Sequence, residues 1–297
     1  MREMKNLCLA ALCIVQTAWA AWHEGSETLA PALVDGEGSR APDTLFTCTS
    51  FVTLPGKVEE LTKALESVQT NVSDPRITKY MIINEYDEHG AADAEKKLKL
   101  LRRKFPKFDF VQKTADHKGQ AASLNMVIDI LKEGNYTYWM KWEESWQART
   151  PVSQRAFEIM DTSGIGRLAF TPHFANQRLP VFTHVDKGDY LVLSRDDVSE
   201  YKFDDKLHGH IDHQRWPLFS LQLSIERTSS TLGAQFRFRE DPHAWPVRFE
   251  LEYAAKWIYN NRGKAAMSGV FKEAPAIRLA GHESVRPGND KFSSHLD

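Results

Sequence analysis

The fold class of this chain is predicted first from residues 118–146, KGQAASLNMVIDILKEGNYTYWMKWEESW. After the opening Lys-Gly, apolar residues recur at helical spacing and predict a helix over Gln120–Lys132. A Gly-Asn turn ends that helix, and the aromatic run Tyr136–Trp142 predicts a buried strand. A helix that leads into a buried strand is the repeating unit of an α/β protein.

Two adjacent carboxylates, Glu143 and Glu144, follow the predicted strand. In α/β sheets, ligands bind in the crevice beyond the carboxyl ends of the strands. Carboxylate oxygens are the ligands that manganese and magnesium prefer, so this strand end predicts a cation site. The simpler alternative is that both glutamates only make the end of the strand polar.

Strands and helices alternate in the same way upstream. We expect strands at Leu45–Val52, Ile77–Asn84 and Phe108–Val111, and helices at Lys57–Gln69 and after Asp93. This alternation predicts an α/β fold with a mostly parallel sheet and a Rossmann-like N-terminal half. The second half is less regular, with a predicted helix at Pro151–Met160 and predicted strands at Arg167–Phe174 and Tyr190–Ser194.

Several short motifs, taken in order, resemble family 2-type, GT-A-fold glycosyltransferases over residues 44–285. The resemblance is carried by Gly119 with Ala121 and Asn125, the acidic motif, Trp-Pro-Leu-Phe-Ser-Leu at 216–221, Phe-Glu-Leu-Glu at 249–252 and Gly-His at 281–282. That family usually has Asp-x-Asp or Glu-Asp-Asp-Trp after the strand. Here the motif is Glu-Glu-Ser-Trp at 143–146, so Ser145 stands in place of an acid.

The resemblance implies a role for particular side chains. It implies nucleotide-sugar contacts from Thr49, Glu85, Asp87, Lys118, Gly119 and Asn125. It implies a manganese or magnesium ion held by Glu143, Glu144 and His282. The alternatives are a solvated turn for Glu85 and Asp87, and an ordinary loop position for His282.

The implied reaction transfers a sugar from a UDP- or GDP-sugar to a hydroxyl of a glycan or another acceptor. Such a transfer needs a base for the acceptor hydroxyl, and Glu250 and Glu252 are the candidates. A base acting directly on the acceptor would invert the anomeric centre. Both glutamates could instead only favour the start of a helix, because acidic residues oppose the helix dipole there.

The N-terminal residues have the features of a secretory signal. Two basic residues precede an apolar run, and Ala-Trp-Ala at 18–20 fits a signal-peptidase site. We therefore expect a signal peptide at 1–20, a flexible leader at 21–43, a glycosyltransferase-like domain at 44–290 and a tail at 291–297. The apolar run is short for a membrane span, although an uncleaved anchor stays open.

The signal peptide predicts a glycoprotein of the endoplasmic reticulum or Golgi lumen, or a secreted one. The sequons at Asn71 and Asn135 fit that compartment. Cys48 is the one cysteine beyond the leader and is expected to be a small buried hydrophobe. A net charge of −2 argues against a nucleic-acid partner, which needs a concentrated basic surface.

Two other functions remain open. The run at 207–213 contains the pattern of a dinuclear zinc hydrolase, His208, His210, Asp212 and His213, although its late position and charged surroundings disfavour this. Ser145 suggests a glycosyltransferase-like domain without activity, which would serve as a binding module.

Overall fold

The computed structural model describes residues 43–171, 183–194, 221–235 and 267–279, together with 237, 238, 240, 250, 253, 254, 256, 257, 260 and 261. All of them belong to one compact unit, Ala41–Asp297. In the described part of the chain, no helix combines the length and apolar character needed to cross a membrane.

Strands and helices alternate through the first half of this unit. The elements are β1 Thr44–Ser50, α1 Lys57–Asn71, β2 Ile77–Asn84, α2 Ala91–Lys104, β3 Asp109–Gln112, α3 Gln120–Glu133 and β4 Tyr138–Glu143. The second half continues with β5 Trp146–Ala148, α4 Ser153–Ser163, β6 Arg167–Ala169, β7 Thr183–Asp186, β8 Tyr190–Ser194, β9 Ser224–Arg227, α5 Thr228–Gly233, β10 Ser268–Phe271 and β11 Ala276–Arg278.

Nine strands form one sheet in the order β3-β2-β1-β4-β9-β6-β10-β8-β7. The first four strands of this order run parallel. Beyond them β9 lies antiparallel between β4 and β6, and β6 and β10 run parallel. The predicted α/β fold with a Rossmann-like N-terminal half and a less regular second half is confirmed.

The sheet has an apolar layer on each face, because side chains alternate along a strand. Tyr138, Met140 and Trp142 of β4 join the core beneath α1, α2 and α4. Trp139 points to the other core, which is covered by α3. Cys48 lies fully buried in the first core, as expected, and burial raises the pKa of its thiol well above the usual value.

The strand order reverses at one place in the parallel half. β2 and β3 lie on one side of β1 and β4 lies on the other, so the order reverses between β1 and β4. In open α/β sheets, ligands bind outside the carboxyl ends of strands at such a switch point. Thr49 of β1 is paired with Glu143 of β4 at this edge.

Candidate active site

The acidic motif lies at the switch point of the sheet. The backbone N–H of Glu144 donates to the carbonyl oxygen of Thr49 at 3.2 Å, one residue beyond the Thr49–Glu143 pair. Thr49, Glu143 and Glu144, named from the sequence for different roles, are therefore neighbours. The end of a buried strand holds them in place.

Glu144 forms an ion pair with a lysine that the sequence did not single out. The Nζ atom of Lys57 is 3.1 Å from Oε1 of Glu144 and 2.9 Å from Oε2 of Glu60. Lys57 is the first residue of α1, and its side chain is 6% exposed. The second carboxylate of the motif thus has a nearly buried ammonium as its partner.

Glu143 lies in a different environment. Strand alternation puts it on the same face of the sheet as Lys141, whereas Glu144 reaches α1 on the opposite face. Burial raises the pKa of the Glu143 carboxyl to about 7, and the negative charges of Glu144 and Glu250 add to the rise. The positive charge of Arg278 opposes it.

The turn after the motif is covered by a small second sheet. β5 pairs with β11, and the backbone N–H of Leu279 donates to the carbonyl oxygen of Ser145 at 2.8 Å. Ser145 is buried. The indole N–H of Trp142 donates to the carbonyl oxygen of Trp146 at 3.0 Å, which closes the turn. An extra carboxylate at position 145 would have to be buried.

The described residues do not complete a cation site. Among the described residues, no three or more His, Cys, Asp or Glu side chains form a group that could hold a metal ion. Glu143 and Glu144 reach opposite sides of β4, and Glu144 is already paired with an ammonium. His282 lies outside the described residues, so the predicted set of Glu143, Glu144 and His282 stays a prediction.

Glu85 organises the loop that precedes α3. Its Oε1 atom accepts hydrogen bonds from the backbone N–H of Tyr86 at 2.9 Å and of Gly119 at 2.8 Å. Lys113, whose side chain is fully buried, donates to both Glu85 oxygens and to the Gly119 carbonyl oxygen. It also donates to the Ser123 hydroxyl at 2.9 Å. Glu85 therefore positions the loop rather than extending freely into the crevice.

Gly119 and Lys118 lie at the exposed start of α3. Gly119 has a φ of 92°, a value in the range that glycine adopts without steric cost. Lys118, Gly119 and Gln120 are exposed at the carboxyl edge, whereas the residues that follow in the first turn of α3 are buried. Asp87 lies in the turn after β2, where its carboxylate accepts the backbone N–H of His89 at 3.0 Å.

Asn125 ties α3 to the second half of the chain. Its amide nitrogen donates to the carbonyl oxygen of Phe238 at 2.8 Å and to Glu240 at 2.6 Å, and its amide oxygen accepts the Phe238 N–H at 2.8 Å. The side chain is buried. In the structure it anchors the segment at 238–240, whose Glu240 lies near Lys113.

Glu250 is helical and lies close to Glu143. Its Oε1 atom accepts the backbone N–H of Leu221 at 2.7 Å. Burial lowers the pKa of two buried cations, Lys141 and Arg167, and the negative charge of Glu250 opposes this fall at each of them. The candidate base is therefore placed between the acidic motif and a buried ionic cluster.

That cluster consists of Lys141 of β4, Arg167 of β6 and Glu226 of β9, three adjacent strands. Glu226 is fully buried and pairs with Lys141; its Oε1 atom is also 3.4 Å from the Arg167 Nε. Thr231 donates to the other Glu226 oxygen at 2.9 Å. Burial lowers the pKa of Lys141 to about 8, although Glu226 acts in the opposite direction.

Sequence reasoning missed the cluster and both of the other buried lysines. One signal was present, because a lysine inside the aromatic run YWMKW must be buried with a partner if that run is a central strand. Besides His282, five candidate residues named from the sequence lie outside the described residues: Glu252, His208, His210, Asp212 and His213.

No protein-family model and no curated protein matches the chain. Among solved structures, a crystal structure of S. aureus TarS 1-349 aligns with a TM-score of 0.49 and 11% identity, over 80% of this chain and 60% of that chain. PcManGT, a mannosyltransferase from Pyrobaculum calidifontis in complex with GDP-Man and Mn2+, aligns with a TM-score of 0.47 and 13% identity, over 90% of this chain and 67% of that chain. A 4-diphosphocytidyl-2C-methyl-D-erythritol synthase from Anaerococcus prevotii aligns with a TM-score of 0.42 and 11% identity. The chain thus spans about 60% of the TarS fragment, and none of these three alignments reaches a TM-score of 0.5.

Proposed function

We propose that this chain is a glycosyltransferase that transfers a sugar from a UDP- or GDP-sugar to a hydroxyl of a glycan or another acceptor. One observation carries the proposal: the acidic motif and Thr49 meet at the switch point between β1 and β4. An α/β sheet binds its ligand at this crevice. We further propose that the reaction takes place in the secretory pathway or after secretion, on the basis of the N-terminal sequence.

In this proposal, the diphosphate of the donor approaches the exposed start of α3. Helix N-termini attract anions through their free N–H groups, and Lys118 adds a positive charge there. Gly119 lets the backbone come close to the ligand, since it has no side chain. Glu85 and Lys113 act indirectly, because together they bind both backbone groups of Gly119.

Glu250 is the proposed base for the acceptor hydroxyl. Its carboxylate lies near Glu143 and is oriented by the Leu221 N–H. A positioned base of this kind contributes roughly 10²–10⁴-fold to the rate. It would take the hydroxyl proton while the acceptor oxygen attacks the anomeric carbon. The bond from that carbon to the diphosphate oxygen breaks at the same time, so the nucleoside diphosphate leaves and the centre is inverted. Glu252 remains the other candidate.

A manganese or magnesium ion would offset the charge that develops on the departing diphosphate. The described carboxylates do not form a set that fits such an ion, because they diverge and Glu144 is paired with Lys57. The proposed mechanism therefore assigns no step to a cation. Glu143, Glu144 and His282 are the side chains that would hold one.

Nucleotide binding and turnover test the proposal together. Thermal unfolding of the purified chain is followed with UDP and with GDP, each with and without manganese. A nucleotide at about 100 times its dissociation constant should stabilise the chain by about 2.7 kcal/mol, because it binds only the folded state. Glu250→Gln should keep this stabilisation and reduce sugar release from the matching nucleotide-sugar by roughly 10²-fold or more.

The exposed Glu158→Gln serves as the matched control, since Glu158 lies on α4 and its partner Arg155 is also exposed. This variant should leave both binding and turnover unchanged. If neither nucleotide stabilises the wild-type chain, the proposed activity is wrong.

A binding module without catalytic activity is the second candidate, and two observations favour it. Ser145 stands in place of an acid of the motif, and Lys57 forms an ion pair with Glu144. This candidate predicts that a nucleotide stabilises the chain but that no sugar is released with any metal ion present. It also predicts that Glu250→Gln changes neither the stabilisation nor the sugar release.

A further inference from the structure

The two glycosylation sequons lie in different surroundings, although each is near the end of a helix. Asn71 is the last residue of α1, whereas Asn135 lies between the end of α3 at Glu133 and the start of β4 at Tyr138. A glycan on an asparagine has to stay in solvent once the chain has folded, because it is bulky and polar. The surroundings of each asparagine therefore decide which sequon is compatible with a glycan.

The side chain of Asn71 holds α1 against the chain that follows the acidic motif. Its amide nitrogen donates to the carbonyl oxygen of Ala148 at 3.0 Å, and its backbone carbonyl oxygen accepts the N–H of Val152 at 3.0 Å. Ala148 and Val152 are buried, and so is Val72, the middle residue of the sequon. A sugar on the amide nitrogen of Asn71 would have to fit against this packed contact.

The sequon at Asn135 faces solvent with both of the residues that define it. Asn135 and Thr137 are exposed, whereas Tyr136 between them packs against the core beneath α3. This is the alternation of a strand, in which every second side chain lies on the same side. The ring of Tyr136 lies so close to Gly134 that a side chain at position 134 would collide with it. The packing of Tyr136 therefore directs Asn135 and Thr137 outward.

The backbone of this sequon is held in place from both sides. The N–H of Thr137 donates to the carbonyl oxygen of Asp43 at 2.8 Å, and the carbonyl oxygen of Thr137 accepts the N–H of Thr228 at 3.0 Å. Both bonds use the backbone only. A glycan on Asn135 can thus extend into solvent without breaking either of them.

We propose that Asn135, rather than Asn71, carries an N-linked glycan. The inference rests on the proposed location in the secretory pathway, where Asn-x-Ser/Thr sequons accept oligosaccharides. The donor is an oligosaccharide linked to a lipid diphosphate. The Nδ2 atom of Asn135 forms a bond to the anomeric carbon and releases one proton. The bond from that carbon to the diphosphate oxygen breaks, and the lipid diphosphate leaves with the electron pair.

A glycan at Asn135 leaves the candidate active site open. Asn135 precedes β4, and Glu143 ends this strand at the switch point. A strand rises about 3.3 Å per residue, so the two ends of β4 are roughly 16 Å apart. The glycan therefore lies at the amino edge of the sheet, away from the edge where we propose that the nucleotide binds.

Expression of the full chain in cultured eukaryotic cells tests the inference. Secretion, or protection from protease inside membrane vesicles, reports entry into the secretory pathway. A gel shift that peptide N-glycosidase removes reports the glycan, and one such shift is expected in the folded wild-type chain. Thr137→Ala removes the Asn135 sequon and should abolish the shift. Ser73→Ala is the matched control, because it removes the other sequon at an equally exposed hydroxyl and leaves Asn71 intact; the shift should remain.

The wild-type chain gives a second readout that needs no substitution. Enzymatic release of a glycan converts the modified asparagine to aspartate, so mass spectrometry should find this change at position 135 and not at position 71. Any shift that survives Thr137→Ala overturns the inference, as does a chain that enters the pathway without a glycan.

Failure of this inference can be told apart from failure of the proposed reaction. A chain that does not enter the secretory pathway overturns both the glycan and the proposed location. It leaves the sugar transfer itself untouched, because that reaction is tested by nucleotide stabilisation and turnover. Conversely, a chain that no nucleotide stabilises still shows whether Asn135 is modified.

Discussion

Two buried lysines on the same sheet are held in different ways. Lys113 follows β3 at the carboxyl edge and donates to Glu85, to the carbonyl oxygen of Gly119 and to the hydroxyl of Ser123. Lys141 lies within β4 and shares the carboxylate of Glu226 with a second cation, Arg167. Hydrogen bonds to several acceptors mainly hold Lys113 in place. The ion pair with the carboxylate of Glu226 holds Lys141 in place.

The difference follows from where each lysine lies. Lys113 is at the end of a strand, where loops supply backbone acceptors and its partner Glu85 stays 20% exposed. Lys141 is in the middle of the sheet, where neighbouring strands have already paired their backbone groups. Among the described residues, the side chain of Glu226 offsets its charge. Removing the carboxylate partner should therefore lower the free energy of unfolding more at Lys141 than at Lys113.

The largest effect is therefore expected for Glu226→Gln. This change leaves two buried cations, Lys141 and Arg167, without their shared carboxylate, and loss of one partner of a buried ion pair costs about 3–5 kcal/mol. Urea unfolding followed by circular dichroism measures the loss. The exposed Glu158→Gln should cost less than about 1 kcal/mol, as surface ion pairs do.

A loss below about 1 kcal/mol for Glu226→Gln would break the comparison. It would mean that other groups around Lys141 and Arg167 already balance both cations.

The parallel half could be predicted from the sequence because its signals are local. The apolar run ITKYMIIN gave β2 at Ile77–Asn84 with both ends correct, and apolar spacing gave α1 from Lys57 onward. β9 was not recognised, since its sequence SIER contains a glutamate that looks unsuitable for a buried strand. The cations that make it suitable come from β4 and β6, and no local pattern reveals them.

The same limit applies to the candidate site. The acidic motif could be placed at a strand end because that placement depends only on one strand. The partners of Asn125 and Glu85 could not be read in this way, since Phe238 is 113 residues from Asn125 and Lys113 is 28 residues from Glu85. For Glu144, the decisive partner is Lys57 at the start of a helix whose inward face looked purely apolar.

Lys113→Met is expected to have an intermediate effect of about 1–3 kcal/mol. The loss is smaller than at Glu226 because Glu85 keeps the N–H donors of Tyr86 and Gly119 and still reaches water. Urea unfolding measures the stability. The stabilisation by nucleotide should also fall, because the loop that contains Gly119 loses its buried support.

Lys99→Met is the matched control for this change, since Lys99 is an exposed lysine of α2. If Lys113→Met lowered stability as much as Glu226→Gln, hydrogen bonds and charge balance would be equally important at the two sites. The contrast between the two lysines would then not hold.

The smallest effect is expected for two tyrosine hydroxyls, one in each region, and it should appear only at high pH. Burial raises the pKa of Tyr80 in β2 and of Tyr138 in β4 from 10.0 to about 12, and at Tyr138 the hydrogen bond to Asp161 adds to the rise. Below about pH 10 both the folded and the unfolded chain keep these protons, so stability does not depend on them. Between about pH 10 and 12 the unfolded chain loses them first, so each tyrosine should make the free energy of unfolding fall by up to about 1.4 kcal/mol per pH unit.

Tyr80→Phe and Tyr138→Phe should each flatten this fall in urea unfolding between pH 9 and 11, while the difference from wild type stays constant between pH 7 and 9. An equal flattening would show that simple burial dominates in both regions, whereas a slope unchanged by Tyr138→Phe would show that its hydroxyl titrates at the ordinary value.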